Sequence, residues 1–161
     1  MRSIYKIVVC SLLTLSITSC EKDLLEKEQY QKEIYLIGAY NRVWTTEVSY
    51  SNEEVKTYFT VSSSGTLALD RDVNVKMKIN EELVDIYNKK YWTVLNEDKY
   101  YKSLDTDLYS IPSLENTVIK HAEGISTEVP VLIKTASLKI DQSYVIPVEI
   151  ESTTGYPISE S

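Results

Sequence analysis

Cysteine is all but absent. The 161 residues hold two, Cys10 and Cys20, both within the first twenty positions. No disulfide framework can staple the chain beyond them, so any domain there stands on its own packed core. Histidine is reduced to His121. A zinc site built from histidine and cysteine needs several ligands, and the folded part offers one. Glycine is equally thin: four residues, scattered, with no cluster to cradle a phosphate. Positive charge is in deficit, with 17 Lys and Arg against 24 Asp and Glu and a formal charge of -7. That balance excludes nucleic acid as a partner, because phosphate backbones need a basic face. It also leaves nothing to adhere to anionic lipid headgroups. No Gly-x-Ser-x-Gly nucleophile turn occurs. A lone histidine in a strand is structural far more often than it is a general base. Carboxylate pairs such as Glu53-Glu54 fall in loops or helix starts, with no spacing that would flank a glycosidic bond. Asp70, Asp72 and Asp105 could in principle meet calcium, but no EF-type loop is present. The expectation is a protein that is not an enzyme and holds no metal or cofactor.

What is present begins with an address. Arg2 and Lys6 precede an apolar stretch from Ile4 to Ile17, too short to span a bilayer comfortably. Residues 1–19 read as an export signal. Ile17-Thr18-Ser19-Cys20 resembles the lipobox of bacterial lipoproteins, which implies lipid attachment at Cys20, the one nucleophilic side chain there. Each buried methylene contributes about 0.8 kcal/mol, so two or three acyl chains would anchor the protein durably. The charged run from Glu21 to Glu28 cannot pack, and residues 20–32 read as a solvated tether. An acidic stretch directly after the lipidated cysteine resembles the export signal of surface lipoproteins in glycan-foraging gut bacteria. It implies an outer-membrane lipoprotein facing the cell exterior. Removing residues 1–19 takes away two positive charges and no acid, so the mature charge is about -9 by the same count.

Residues 33–161 carry period-two patterning. In Asp72–Ile79 the apolar Val73, Val75, Met77 and Ile79 alternate with Asn74, Lys76 and Lys78. Val55 to Val61 alternates likewise, and Trp44, Thr46, Val48 and Tyr50 would share a face of a strand over 43–50. Ile34 to Ile37 is a short apolar strand. Asn80 can cap a helix over Glu81 to Lys89, with Glu81 and Glu82 in its first turn. Leu83, Ile86, Tyr87 and Tyr91 fall on one helical face. Strands resume at Thr117 to His121, Val129 to Thr135 and Ser143 to Glu151. Pro130 and Pro147 mark two of these as edges or bulged strands. Short antiparallel strands with one short helix predict an all-β, immunoglobulin-like antiparallel β-sandwich.

The order of these segments resembles a family: the N-terminal domain of unknown function of bacterial surface lipoproteins from glycan-utilisation loci, the module that precedes the catalytic domain in an endo-β-N-acetylglucosaminidase. The resemblance rests on DVNVKMKI, ELVDIYN with Tyr87-Asn88, LNEDKYY with Leu95 and Tyr101, the turn Ala122-Glu123-Gly124, VPVLI, and SYVIPVEIESTTGYPIS, over Asp72 to Ser159. Asn96 stands where that family usually has proline. Family members generally continue past the position of Ser159, so the sandwich is expected to lack a C-terminal strand or second domain, with an unpaired edge near Ser143 to Glu151. The related endoglycosidases carry an Asp-x-x-Asp-x-Asp-x-Glu run. Here only Asp105 and Asp107 match, and Lys102 and Tyr109 fill the other places, so the aspartates read as a turn.

Thirteen tyrosines accompany one phenylalanine and two tryptophans. Tyrosine suits strands, and it also offers a flat apolar face with a hydrogen-bonding tip, the chemistry that holds a sugar. Trp44, Tyr91 and Trp92 are the candidate ligand-binding residues, with Tyr50, Tyr58 and Tyr100 behind them. Trp44 could equally be the core tryptophan of the sandwich, and Tyr91 could pack the helix. The expected role is a surface-exposed lipoprotein module of a glycan-binding or uptake system, acting as a spacer or weak carbohydrate-binding unit. Its expected partners are the membrane through its lipid, a glycan, and an outer-membrane transporter or glycosidase. A strand-exchange, pilin-like subunit and the detached N-terminal module of a glycosidase remain open alternatives.

Overall fold

The structure, a computed structural model, describes residues 27–38, 43–140 and 142–160. The signal segment and Cys20 lie outside the described residues. Strands β1 (Ile34–Leu36), β2 (Val55–Ser63) and β3 (Val73–Ile79) lead to helix α1 (Glu82–Tyr91). A 3-10 segment, Val94–Lys99, and the short strands β4 (Lys102–Ser103) and β5 (Tyr109–Ser110) follow. The chain then forms β6 (Thr117–Ile119), β7 (Ser126–Ile133), β8 (Tyr144–Val145) and β9 (Val148–Thr153).

These strands form a four-stranded sheet in the order β1-β2-β7-β5 and a three-stranded sheet in the order β6-β3-β9. All pairings in both sheets are antiparallel. A small parallel pair, β4-β8, stands beside them. The longest ladder joins β2 to β7, from Val55 opposite Ile133 to Ser62 opposite Ser126. The alternation in β3 is realised as written: Val73, Val75 and Met77 are buried, and Asn74, Lys76 and Lys78 are exposed. Met77 and Val75 meet Ile34, Val61 and Val129 from the opposite sheet in the main core, with Ile119 and Ile150 beside them. Burying each such side chain contributes about 1.5–3 kcal/mol. A second cluster, Leu104, Val131 and Ile133, fills the end of the sandwich near β5. Phe59 packs against both. The fold is the expected all-β sandwich.

Several local expectations differ. Residues 43–50 form no strand. Val48 reaches the second cluster, but Trp44 and Tyr50 are 60% and 62% exposed. Alternation alone does not make a strand; the backbone also needs a ladder to pair with, and among the described residues none lies alongside this segment. The stretch expected as one strand over Ser143 to Glu151 breaks at Ile146-Pro147, because proline donates no ladder hydrogen bond. Pro130 sits opposite Tyr58, at a level of β7 that β5 does not reach, so its missing donor has no neighbour to fail.

Helix α1 begins one residue later than expected and runs two further. Asn80 Oδ1 accepts the amide of Glu82 at 3.2 Å, so the expected cap side chain does cap. The buried positions are Val84 and Asn88, and Ile86 is 53% exposed. Val84 and Asn88 are four residues apart, one above the other on the helix. A polar residue at the inner position has a reason. Asn88 Nδ2 donates to the Tyr101 carbonyl and its Oδ1 accepts the Tyr101 amide, both at 2.9 Å. This two-way bond fastens the end of α1 to the strand that follows.

Ion pairs decorate the wet face. Lys76 meets Glu151 at 2.7 Å and Lys78 meets Glu149 at 3.6 Å across β3 and β9. Asp72 accepts both the amide of His121 at 3.0 Å and a 2.7 Å contact from its Nδ1, tying the start of β3 to the end of β6. His121 holds Asp72 below its ordinary pKa, and Lys76 does the same for Glu151. Each carboxylate therefore binds fewer protons folded than unfolded. Their stabilisation is complete above the ordinary carboxylate range and is lost as pH falls through it and below.

Three outcomes follow for urea titration followed by circular dichroism. Ile119→Ala should cost about 3 kcal/mol, whereas Ile140→Ala, at a position 78% exposed, should change stability by less than about 0.5 kcal/mol. Asn88→Ala should cost about 2–3 kcal/mol by orphaning both Tyr101 backbone groups. The wild-type midpoint should hold steady from pH 7 to 5 and decline below pH 4; a midpoint that rises on acidification would contradict the carboxylate account.

Candidate functional site

The end of α1 carries an aromatic group. The rings of Tyr87 and Tyr91, four apart on the helix, have centroids 4.5 Å apart and are tilted by 35°. Tyr101 meets Tyr87 edge-on at 5.5 Å. Tyr101 is held there by the Asn88 bonds, so one buried amide side chain sets the geometry of the cluster. Tyr91 is 48% exposed, with the Lys90 ammonium 5.4 Å from its ring centre. Tyr87 is partly buried, and desolvation raises its pKa, with Tyr101 and Tyr91 adding to the effect.

Trp92 closes the helix. Its backbone turns extended, and its amide bonds to the Asn88 carbonyl at 2.9 Å. Its indole Nε1 is buried and has no hydrogen-bond partner among the described residues. Lys99 lies 5.5 Å over the ring. Tyr91 and Trp92 are thus neighbours, but Trp92 turns its polar tip inward and Tyr91 keeps a surface in water.

Trp44 is elsewhere. Its ring lies against Gly38, just past β1, where a β-carbon would come within 2.7 Å of it. Gly38 also has φ +88°, a backbone conformation that favours glycine. At 60% exposure Trp44 is not the core tryptophan of the sandwich. Tyr50 and Tyr58 are exposed singly, Tyr58 with Lys56 at 5.0 Å, and Tyr100 is partly buried. The structure therefore groups two of the three leading aromatic candidates and separates the third.

A cleft of about 440 Å³ opens at the other end of α1, lined by Glu81, Ser103, Asp105, Thr106, Leu108 and Tyr144 around Leu104. Ser103 donates its hydroxyl to the Glu81 carboxylate. Asp105 precedes a 3-10 turn, Thr106–Leu108, as the turn reading of that segment implied. Tyr109, nearby in β5, has a buried hydroxyl without a hydrogen-bond partner among the described residues; burial raises its pKa, and the charge of Glu81 adds to this. Sequence reasoning did not find this cleft. Its walls meet through the two-residue β4-β8 pairing and the Ser103–Glu81 bond, which leave no periodic signal. Among the described residues no group of three or more His, Cys, Asp or Glu side chains could hold a metal ion. No described helix is long and apolar enough to cross a membrane.

No curated protein matches the sequence. Solved structures share the fold. A protein of unknown function from Bacteroides ovatus is similar with a TM-score of 0.57 and 12% identity, over 82% of this chain and 42% of that one. A multidomain protein including DUF1735, also from Bacteroides ovatus, is similar with a TM-score of 0.53 and 16% identity, over 63% of this chain and 33% of that one. The chain thus spans less than half the length of either. A family model described as an N-terminal domain matches residues 30–157. On that match the chain belongs to a family of N-terminal domains of unknown function, the one its strand order resembles.

Proposed function

We propose that this protein is a non-enzymatic, lipid-anchored module on the outer face of the outer membrane, serving a glycan-uptake system as a spacer and weak carbohydrate-binding unit. The observation that carries the binding role is Tyr91, half-exposed at the end of α1 and braced by Tyr87, which Tyr101 in turn meets edge-on. A braced aromatic loses little conformational freedom when a sugar ring stacks on it. The Lys90 contact is worth about 0.5–1 kcal/mol at an exposed site, little enough for a sugar face to displace it. One such platform gives weak binding, which suits a module that holds a glycan near a stronger partner rather than one that processes it.

The anchoring role rests on the lipobox-like Ile17-Thr18-Ser19-Cys20 and the charged tether after it. The scarcity of basic side chains makes the acyl group the membrane contact. The longer chains of the similar structures agree with a unit built to carry something else.

Two measurements test this reading. Titration against host and plant glycan panels should find millimolar to high-micromolar binding that Tyr91→Ala reduces at least about tenfold, a loss of about 1.4 kcal/mol, with Trp44→Ala unchanged. Binding that survives Tyr91→Ala would place the glycan contact away from this platform and overturn the role of Tyr91; no binding to any glycan would reduce the module to a spacer. Metabolic labelling with an alkynyl fatty acid should tag the protein in cells and fail for Cys20→Ala; labelling that survives that substitution would remove the anchor.

A further inference from the structure

The three-stranded sheet ends on β9. Among the described residues β9 pairs with β3 alone, so its other edge presents unpaired amides and carbonyls. Such an edge is a template for a further strand. The chain's own segment after the Thr153–Tyr156 turn does not fill it along its length. Pro157 and Ser159 instead bond to Ile34 of β1, at 2.8 and 2.9 Å.

The residues of β9 state what they would accept. Val148 and Ile150 face the core, with Ile150 buried. Glu149 and Glu151 face water at 40% and 38% side-chain exposure. On its paired edge β9 takes a strand whose apolar residues enter the core and whose lysines, Lys76 and Lys78, meet those two glutamates. A carboxylate can accept from more than one cation. The free edge therefore favours the same chemistry a second time.

A second copy of β9 is disfavoured. In a symmetric antiparallel pair centred on Ile150, Glu149 of one copy would oppose Glu151 of the other, and like charges directly opposed destabilise a pair. The edge is thus selective as well as open.

We propose that β9 is an acceptor edge for an extended segment of a partner protein that alternates apolar and basic residues and adds antiparallel to it as a fourth strand of that sheet. This docking surface is independent of the aromatic group at the end of α1. The probe is a synthetic peptide with the sequence of Asp72–Ile79, the strand β9 already accepts, added to the full chain. It should slow amide hydrogen exchange over residues 148–153 and leave the protection of β3 unchanged. A peptide with Lys76→Glu and Lys78→Glu should bind about tenfold more weakly, as attraction becomes repulsion at two exposed pairs. Four outcomes overturn the proposal: no slowing with either peptide, equal binding of both, loss of protection in β3, which would mean displacement, or slowing with protein concentration alone, which would mean self-pairing.

Discussion

The β2-β7 ladder is the constraint on which the rest of this protein depends. It is the longest pairing in the molecule, and its side chains reach both apolar clusters. Val61 and Val129 enter the main core; Val131 and Ile133 enter the second; Phe59 touches both. With no disulfide available beyond Cys20, this shared register makes the two clusters one cooperative unit. A slip of one residue would turn every one of these side chains to the wrong face. Helix α1, the aromatic group and the cleft are all arranged on the body this ladder fixes.

The features on which the proposals rest lie apart on that body. The aromatic group stands at the last turn of α1, the polar cleft at its first, and the open edge of β9 on the three-stranded sheet. Asp72 and His121 are an exposed pair bonded to each other, which serves the β3-β6 junction.

Most of the fold was legible where one face of a strand is wet and the other dry. The alternation of Asp72–Ile79 marked β3 to within one residue, since the strand begins at Val73, and Ile34, Val55 and Val129 marked their strands. Residues 43–50 misled because period two records which way side chains point, not whether a neighbouring strand exists. The helix face misled because Asn88 is buried for its two bonds to Tyr101, and a hydropathy pattern counts it as polar. Of the site, Tyr91 and Trp92 could be seen as adjacent in sequence, but the orientation of the Trp92 indole depends on how the helix ends. The cleft could not be seen at all, since Glu81, Ser103 and Tyr144 meet only through tertiary contacts.

Native-state hydrogen exchange under mild denaturant tests the central structural claim most directly. If the β2-β7 ladder joins both clusters into one unit, the amides of Val61, Val129 and Val131 will exchange only through global unfolding, with a common free energy equal to the stability of the whole protein. If Val131 opens at lower free energy than Val61 and Val129, the two clusters are separate units and the single-body account is wrong.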